Sequence, residues 1–562
     1  MATHSKFIPG DSARKAVGMA AALAASACLS AFGAPKPKVL MVMVDGLRAD
    51  VVENMRMPAL QALCAGTWQT QYKGFSSLTG GTVLDARPSS AANHAAIATG
   101  VSAAKTKITK NGETSRGDFK KWPSWMARVA EARPDVKSLF AYSWSGDEKL
   151  DPHPKLQRLP IVSVIKRNWP VSGGYAENAR TMPELLSRPD APDATLYFID
   201  IGDWGGHRSG FYPYGGEYLL DMQLADRIIG ETLDAIASRP SFKDENWLVM
   251  VTSDHGGYGK RHGIWGGHAT TIPVIIAGRN VPQGRIAGVP RNYDLASLAL
   301  EHFGLDTSAM GLDGKVPRTA ATDKERPLRE GIVAYFTFDA ADPAAGAIGN
   351  VAARLAGKTA SGVRGGRFGG FLSVAPDAKG ACGAELVGTE GVEFENGTDF
   401  AFTMWARMDA PQALQAPIVS NKDWNSGRNP GIVLVGARCT DSLNVPGVCF
   451  NCATSGGSGR IDMGTFDISY GLWCFYAVTC SADGVLTVYQ GGSDGRLYWI
   501  AEDARGIAPK TSLPFRIGQD GTGKCRVSFE GGVDDFALWR RSLTRSEVRR
   551  IYEAGKTLAT LL

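Results

Sequence analysis

Cysteine is almost missing from the first half of this 562-residue chain, where Cys64 alone stands between Cys28 and Cys382. A disulfide framework or a cysteine-ligated metal site can therefore only belong to the second half, which holds Cys382, Cys439, Cys449, Cys452, Cys474, Cys480 and Cys525. Charge of one sign is also scarce. The net charge is +5 and the basic residues are scattered rather than run together, so nothing in the charge supports binding of a nucleic-acid duplex. Long apolar runs are missing after the N-terminus, and no later segment is apolar for long enough to span a bilayer. What remains is a globular composition, 44% hydrophobic and 21% charged, on a chain long enough for two domains.

Residues 1–33 read as a secretory signal peptide: Arg14 and Lys15 precede the small apolar residues of Ala16 to Phe32, with cleavage expected near residues 31–34. The mature protein is then exported, to the periplasm, the medium or the cell surface. Export permits disulfides in the cysteine-rich second half. Cys449-Phe450-Asn451-Cys452 also has a redox or zinc spacing, but no second such pair lies near it, so disulfides or plain thiols are the expectation.

From Lys38 to about Gly304, strand-like runs alternate with helix-like stretches at Pro58 to Gly66, Trp122 to Ala132, Met182 to Ser187 and Tyr218 to Ser238. This is the α/β pattern, a mainly parallel sheet between helices. We assign residues 34–310 to this domain and 311–330 to a linker without apolar period. Residues 331–562 change texture. Short alternating runs, such as Ile332 to Phe338, Phe400 to Ala406 and Trp473 to Val478, are divided by Gly, Asn, Asp and Ser turns, the pattern of an all-β sandwich. One closing helix is expected over Thr544 to Glu553, with Ser542 and Ser546 as candidate N-caps.

Metal-type ligands lie along the first half in the order Asp45, Asp203, His207, Asp254, His255 and His262, with the hydroxyl of Ser90 between the first two. Asp45 ends the apolar run Val39 to Val44, Asp203 follows Leu196 to Ile199, and Asp254 follows Leu248 to Thr252. Open sheets bind ligands beyond the carboxyl ends of their strands, where three such acids can converge. Imidazoles with carboxylates suit zinc, and two divalent cations can hold the attacking and leaving oxygens of a displacement at phosphorus or sulfur. Asp203 and His207 are read as four apart across a Gly-Gly loop, and Asp254 and His255 as neighbours on a turn. Ser90 precedes a helix-like stretch, so it sits where free amides favour an anion; the plainer reading is that Ser89 or Ser90 caps that helix. Two Zn2+ ions would be balanced by the three aspartates and a Ser90 alkoxide, so the choice of ester rests on further donors. Asn111 is a neutral candidate. Lys105, Lys107, Lys110, Arg208, Lys260 and Arg261 are cationic ones.

This order of residues, over roughly 38–308, resembles the alkaline phosphatase superfamily, and within it the nucleotide pyrophosphatase/phosphodiesterase-like branch. The resemblance implies one zinc on Asp45, Asp254, His255 and Ser90, and a second on Asp203, His207 and His262. It makes Ser90 the nucleophile, three residues before Asn93-His94, and Asn111 a ligand of the phosphoryl oxygen. The chain departs from the branch in having Ser90-Ala91-Ala92 where Thr-Phe-Pro is usual. His268 lies six residues beyond His262 and competes with it for the last ligand place. Sulfatases share the fold, but Asp45-Gly46 and Ser90-Ala91-Ala92-Asn93-His94 lack their paired aspartates and formylglycine motif. Cofactor-independent phosphoglycerate mutase is another relative, which the leader argues against. The second half is similar to laminin G-like, concanavalin A-like jelly-roll domains, on Gly331 to Asp339, Phe400 to Ala406 and Gly532 to Trp539. Such domains often bind glycans or Ca2+, and Asp534-Asp535 is either a calcium pair or a closure of the sandwich.

The expectation is an exported two-zinc phosphohydrolase acting on phosphodiesters or phosphomonoesters through a covalent phosphoserine, with a sandwich domain directed at a glycan or the cell envelope. The alternatives are a sulfuric ester hydrolase, a glycan-binding protein with a vestigial hydrolase domain, and a sandwich that only shields or orders the catalytic entrance.

Overall fold

A computed structural model describes residues 34–161, 174–263, 267–389, 399–409, 415–438, 446–454, 459–464, 468–492 and 494–562. The leader expected over 1–33 and Cys439 lie outside these residues. Among the described residues no helix is long and apolar enough to cross a membrane.

The N-terminal sheet is built from β1 (Lys36–Val44), β2 (Lys73–Gly81), β3 (Ser138–Tyr142), β4 (Gln157–Pro160), β5 (Ala194–Ile199), β6 (Glu245–Thr252), β7 (Thr271–Gly278), β8 (Gly284–Ile286) and β9 (Ala320–Ala321), in the order β4-β3-β5-β1-β6-β7-β2-β8-β9. Strands β4, β3, β5, β1 and β6 run parallel, while β7 is antiparallel to both β6 and β2. Both faces are covered, which is why β1 is apolar from Val39 to Val44. Leu40, Val42 and Val44 enter one core with the helices Pro58–Ala65 and Gly216–Ala237, whereas Val39, Met41 and Met43 enter the other with Ser90–Thr99, Trp125–Ala132 and Asp294–His302. The sheet edge is completed by β9, which lies within the stretch expected to be a linker and pairs with β8.

The C-terminal part is a sandwich of two antiparallel sheets. One contains β12 (Ala360–Arg364), β13 (Gly370–Val374), β15 (Phe400–Met408), β20 (Trp473–Cys480), β21 (Val485–Gly491), β22 (Leu497–Asp503) and β24 (Gly531–Trp539), with β10 (Ile332–Phe336) beside β24. The other contains β11 (Ala352–Ala356), β14 (Gly383–Val387), β16 (Ala416–Ser420), β17 (Gly431–Arg438), β18 (Pro446–Ala453), β19 (Arg460–Gly464) and β23 (Phe515–Ile517). Alternate residues such as Phe400, Phe402, Met404 and Ala406 meet Ile432, Leu434 and Phe450 between the sheets.

One expectation, the helix cap, is corrected here, and two open alternatives take a definite form. Cys64, Cys382, Cys452, Cys474, Cys480 and Cys525 are plain thiols, the second of the two states expected of them, and no disulfide joins them. Cys449 and Cys452 are three apart on the regular strand β18 and so face opposite sides, Cys452 into the sandwich core and Cys449 against Val433 and Val435. The closing helix, Arg545–Glu553, is capped by Thr544 rather than by Ser542 or Ser546. Glu547 sits three residues on, so the two complete a capping box. Asp534-Asp535 closes the sandwich. Asp535, at φ 54° beside an irregularity in the β15–β24 register, accepts hydrogen bonds from the Tyr335 hydroxyl (2.6 Å), the Thr557 hydroxyl (2.7 Å) and the Leu558 amide (2.9 Å).

The sandwich packs directly on the α/β domain. Glu53 lies between Arg545 (2.8 Å) and Arg549 (2.6 Å), Trp499 Nε1 donates to the Leu78 carbonyl (3.0 Å), and Arg291 pairs with Glu502 (3.0 Å). The last residues before the sandwich are held by its side chains: Trp539 Nε1 donates to the Leu328 carbonyl and Arg541 to the carbonyls of Pro327 and Glu330.

Burial, aided by repulsion from Asp535, raises the Asp534 carboxyl to about 7. An acid with a folded pKa above its unfolded value leaves stability intact at low pH and erodes it as pH climbs from the unfolded pKa toward the folded one. Asp534→Asn should therefore gain roughly 2 kcal/mol on the parent between about pH 4 and pH 8. Denaturant titration of both proteins across that range measures it; a constant difference would contradict it.

Candidate active site

Three of the acids meet because three adjacent strands, β5, β1 and β6, end side by side. Asp45 is the first residue past β1, and its amide bonds the Ile199 carbonyl at the end of β5 (2.8 Å). Asp254 stands just beyond β6. Its Oδ1 accepts the amide of Gly46 (3.1 Å), a residue held at φ 75° and so suited to glycine.

Asp203 and His207 correct the expectation of a loop. They lie one turn apart on the helix Ile201–Ser209, which brings them to the same face, 3.4 Å apart. The two glycines between them serve packing. A Cβ on Gly206 would fall 2.4 Å from the Phe211 ring, and one on Gly205 would fall 2.5 Å from Asp221 Oδ2. Phe211 in turn packs at 5.8 Å from the His207 ring and 6.4 Å from that of His262.

His255 and His262 stack at 3.8 Å, in the middle of the cluster. His255 Nε2 is 3.2 Å from Asp254 Oδ2, 3.5 Å from Asp45 Oδ1 and 3.3 Å from Ser90 Oγ, and His262 Nε2 is 3.7 Å from Asp203 Oδ1. His268 is elsewhere. Its Nδ1 lies 2.9 Å from Arg48 Nη2, and burial beside that guanidinium lowers its pKa well below the usual value. Of the two histidines that competed for the last place, it is thus His262 that faces Asp203.

The second nitrogens of the three clustered imidazoles share one feature. Nδ1 of His207 faces the Lys260 carbonyl (3.0 Å), that of His255 the Gly256 carbonyl (2.8 Å), and that of His262 the Pro88 carbonyl (3.1 Å). A ring nitrogen against a carbonyl oxygen must carry the proton, so each neutral ring turns an Nε2 lone pair toward the carboxylates. Opposite them, Asp45 Oδ1, Asp203 Oδ1 and Asp254 Oδ2 are buried without a hydrogen-bond partner. Buried lone pairs left together are costly unless something positive joins them. The sets Asp203, His207, His262 and Asp45, Asp203, His255 each have ligand atoms within 4.8 Å of one another. The donors therefore fit divalent cations, with the carbonyls of Lys260, Gly256 and Pro88 fixing the tautomers as metal sites require.

The electrostatics divide the three rings: among the protein's own groups, the bond to Asp203 raises the His207 imidazole above its usual value. Burial, with repulsion from Asp254 and Asp203, pushes the Asp45 carboxyl well above its ordinary range. Burial acts the same way on Asp254 and Asp203, but is outweighed by His255 and His94 at Asp254 and by His207, His255 and His262 at Asp203, so both stay lowered. Burial and the neighbouring His255 bring His262 down to about 4, in keeping with a neutral ligand.

His94 is the residue that motif reasoning passed over. It is buried in the helix Ser90–Thr99, with Nδ1 2.8 Å from Asp147 Oδ1 and Nε2 3.3 Å from Asp254 Oδ2 and 3.5 Å from Asp45 Oδ2. Burial opposes its charge, yet Asp147, Asp254 and Asp45 together hold its pKa well above the usual value. Protonated, the ring bonds Asp147 through Nδ1 and sets its charge against Asp45 and Asp254 on the Nε2 side, where no hydrogen bond forms, so His94 acts as a cationic strut beneath the carboxylates. No spacing rule marks Asp147, which arrives on a short turn from 53 residues away.

Ser90 is the first residue of its helix, and Ser89, the residue at the N-cap position, makes no side-chain capping bond. The amide of Ala91 donates to Asn111 Oδ1 (3.0 Å), which places Asn111 beside Ser90 and leaves its NH2 group as a donor. Of the candidate cations, Lys105 pairs with Asp313 (2.5 Å), Arg208 with Glu217, and Lys110 lies 4.0 Å from Glu113.

An α/β sheet with acids and imidazoles at its strand ends is similar to the hydrolase domains of the alkaline phosphatase superfamily, and the domain after it is similar to concanavalin A-like domains. More narrowly, residues 39–258 match the type I phosphodiesterase / nucleotide pyrophosphatase family, whose members depend on metal, and residues 383–549 match the concanavalin A-like lectin/glucanases superfamily. No curated protein matches the chain. Among solved structures, an alkaline phosphatase superfamily protein from Vibrio parahaemolyticus is 14% identical over 52% of this chain and 71% of its own, with a TM-score of 0.37. Murine ectonucleotide pyrophosphatase/phosphodiesterase 5 is 15% identical over 50% of this chain and 97% of its own, with a TM-score of 0.34. A lipoteichoic acid synthase from Listeria monocytogenes is 14% identical over 51% and 77%, with a TM-score of 0.38.

If His94 is the strut described, its removal leaves three buried carboxylates without their cation. His94→Ala should lose about 3 kcal/mol of stability in chelator, and His94→Gln, which keeps a donor, less. Thermal melts with EDTA measure this, and an unchanged midpoint for His94→Ala would refute the role.

Proposed function

We propose that the protein is an exported two-zinc phosphohydrolase that cleaves phosphodiesters or phosphomonoesters through a phosphoserine at Ser90. The observation that carries this is the set of three Nε2 lone pairs turned toward unpartnered carboxylate oxygens, with a serine hydroxyl 3.3 Å from one of them. Asp45, Asp254, His255 and Ser90 would hold one zinc, and Asp203, His207 and His262 the other. Bound zinc would withdraw electron density from the phosphoryl group and make a hydroxyl easier to ionise.

The chain's own residues do the rest. Ser90, having lost its proton to solvent, attacks phosphorus, and the bond to the leaving oxygen breaks with its electron pair. That oxygen takes a proton from water. Water then cleaves the phosphoserine and restores Ser90. The positive end of the Ser90 helix and the NH2 group of Asn111, which the Ala91 amide holds in place, stabilise charge on the phosphoryl oxygens. His94 keeps Asp45 and Asp254 in register. The leader over 1–33 supports export, and the second domain supports a glycan or envelope ligand.

Metal content and initial rates on matched aryl phosphomonoester, phosphodiester and sulfate ester substrates test the reading. About two zinc ions per chain are expected, with loss of turnover in chelator and a drop of roughly a thousandfold or more in Ser90→Ala. Fastest turnover of the sulfate ester would make the protein a sulfuric ester hydrolase. No zinc and no turnover would leave a binding protein on a hydrolase fold.

A further inference from the structure

Arg48, three residues beyond Asp45, is 3% exposed and takes no part in the chemistry set out above. A guanidinium is held inside a fold where several acceptors need it at once. The acceptors here lie on its own segment and on two others. Nε and Nη2 donate to the two carboxylate oxygens of Asp50 (3.0 and 2.6 Å), and Nη1 donates to the Phe211 carbonyl (2.6 Å). Nη2 also donates to His268 Nδ1 (2.9 Å); burial beside Arg48 keeps that ring neutral, so its nitrogen can accept.

Those segments carry the metal-type ligands. The turn from Asp45 to Arg48 is clasped by Tyr218, whose hydroxyl donates to the Gly46 carbonyl (2.8 Å) and accepts from the Arg48 amide (3.2 Å). His268 lies behind the segment of Asp254 and His255. The Gly256 amide donates to the Ala269 carbonyl (3.0 Å), and a Cβ on Gly256 would fall 2.0 Å from the His268 carbonyl oxygen and 3.0 Å from Arg48 Cγ. Phe211 lies two residues past the helix of Asp203 and His207, and its amide donates to the Gly259 carbonyl (2.7 Å), three residues before His262. Its ring is the one that packs against His207 and His262.

We infer that Arg48 is a positioning residue for the second metal: its guanidinium ties the segments of Asp45 and His255 to the Phe211 segment, against which His207 and His262 pack, and so sets one ligand group against the other. The inference rests on the two-zinc reading and adds to it a residue outside both ligand sets. The first group has bonds that bypass Arg48. Asp254 accepts from the Gly46 amide, and Ser253 Oγ accepts from the Leu47 amide (3.0 Å) and donates to the His255 carbonyl (2.6 Å). The second group is nearer to solvent, with the His207 side chain 44% exposed, and its helix and loop are joined at Phe211. Lysine in place of Arg48 would keep the charge beside Asp50, but one ammonium cannot reach the acceptors of all three segments.

Stepwise zinc binding to the full mature protein stripped of metal, read by calorimetry and by competition with a chromophoric chelator, tests this in the parent, Arg48→Lys and His268→Phe. Thermal melts in EDTA report the fold of each. Arg48→Lys should bind the second zinc at least about tenfold more weakly and the first within about threefold of the parent. His268→Phe, which removes one of the acceptors, should show a smaller loss confined to the same zinc. In a His207→Ala background, which lacks the second group, Arg48→Lys should leave the remaining affinity unchanged within about threefold. An unchanged second affinity in Arg48→Lys, or weakening of both zincs alike, would overturn the inference. Should Arg48→Lys melt too low to be measured, His268→Phe answers by the same two criteria. A parent that binds fewer than two zinc ions fails the two-zinc reading and this inference together, whereas a parent that binds two, with variants indistinguishable from it, fails this inference alone.

Discussion

Like-charge crowding is the constraint on which the centre of this molecule depends. Three neighbouring strands end on one line and bring Asp45 and Asp254 into space closed to water, with Asp203 at its rim, where mutual repulsion is weakly screened. Such a placement persists only with cations beside it. His94 provides one from below, itself held by Asp147, and the imidazoles of His207, His255 and His262 line the opposite side. The surrounding structure is arranged to keep these rings still: Phe211 wedged against glycines, Gly46 turned to present an amide to Asp254, and backbone carbonyls behind each Nδ1.

Much of this was legible from sequence because strand ends are. An apolar run followed by an acid reads the same on the page as in the sheet, so Asp45 and Asp254 were placed from pattern alone, and the alternating runs after Gly331 announced a sandwich. Asp203 and His207 were paired correctly but in the wrong local structure, since Gly-Gly suggests a loop unless one sees the Phe211 ring and Asp221 that require glycine on a helix. His94 escaped because it lies in an alanine-rich helix with no acid beside it in sequence, while its partners, Asp45, Asp147 and Asp254, are far along the chain. The cysteines misled for a different reason: compartment argues for disulfides, but only geometry decides, and β18 turns Cys449 and Cys452 apart.

The contact between the domains had no sequence signal. Glu53, Leu78 and Arg291 are ordinary residues of the first domain until Arg545, Arg549, Trp499 and Glu502 meet them. Their number and burial mean that the sandwich is seated rather than tethered, so whatever it binds lies at a fixed distance from Ser90. Removal of residues 331–562 would uncover Leu78 and leave Glu53 without its arginines.

The carbonyl that steadies His262 belongs to Pro88, two residues before Ser90. Nucleophile and imidazole are thereby parts of one lever: a shift of the 88–90 segment moves the attacking oxygen and turns the ring facing Asp203 together. The spacing between the two proposed metal positions is thus written into the main chain rather than left to side-chain rotamers. Substitutions that reshape the pocket for a bulkier ester have freedom on the exposed side of Asn111 and almost none along this segment.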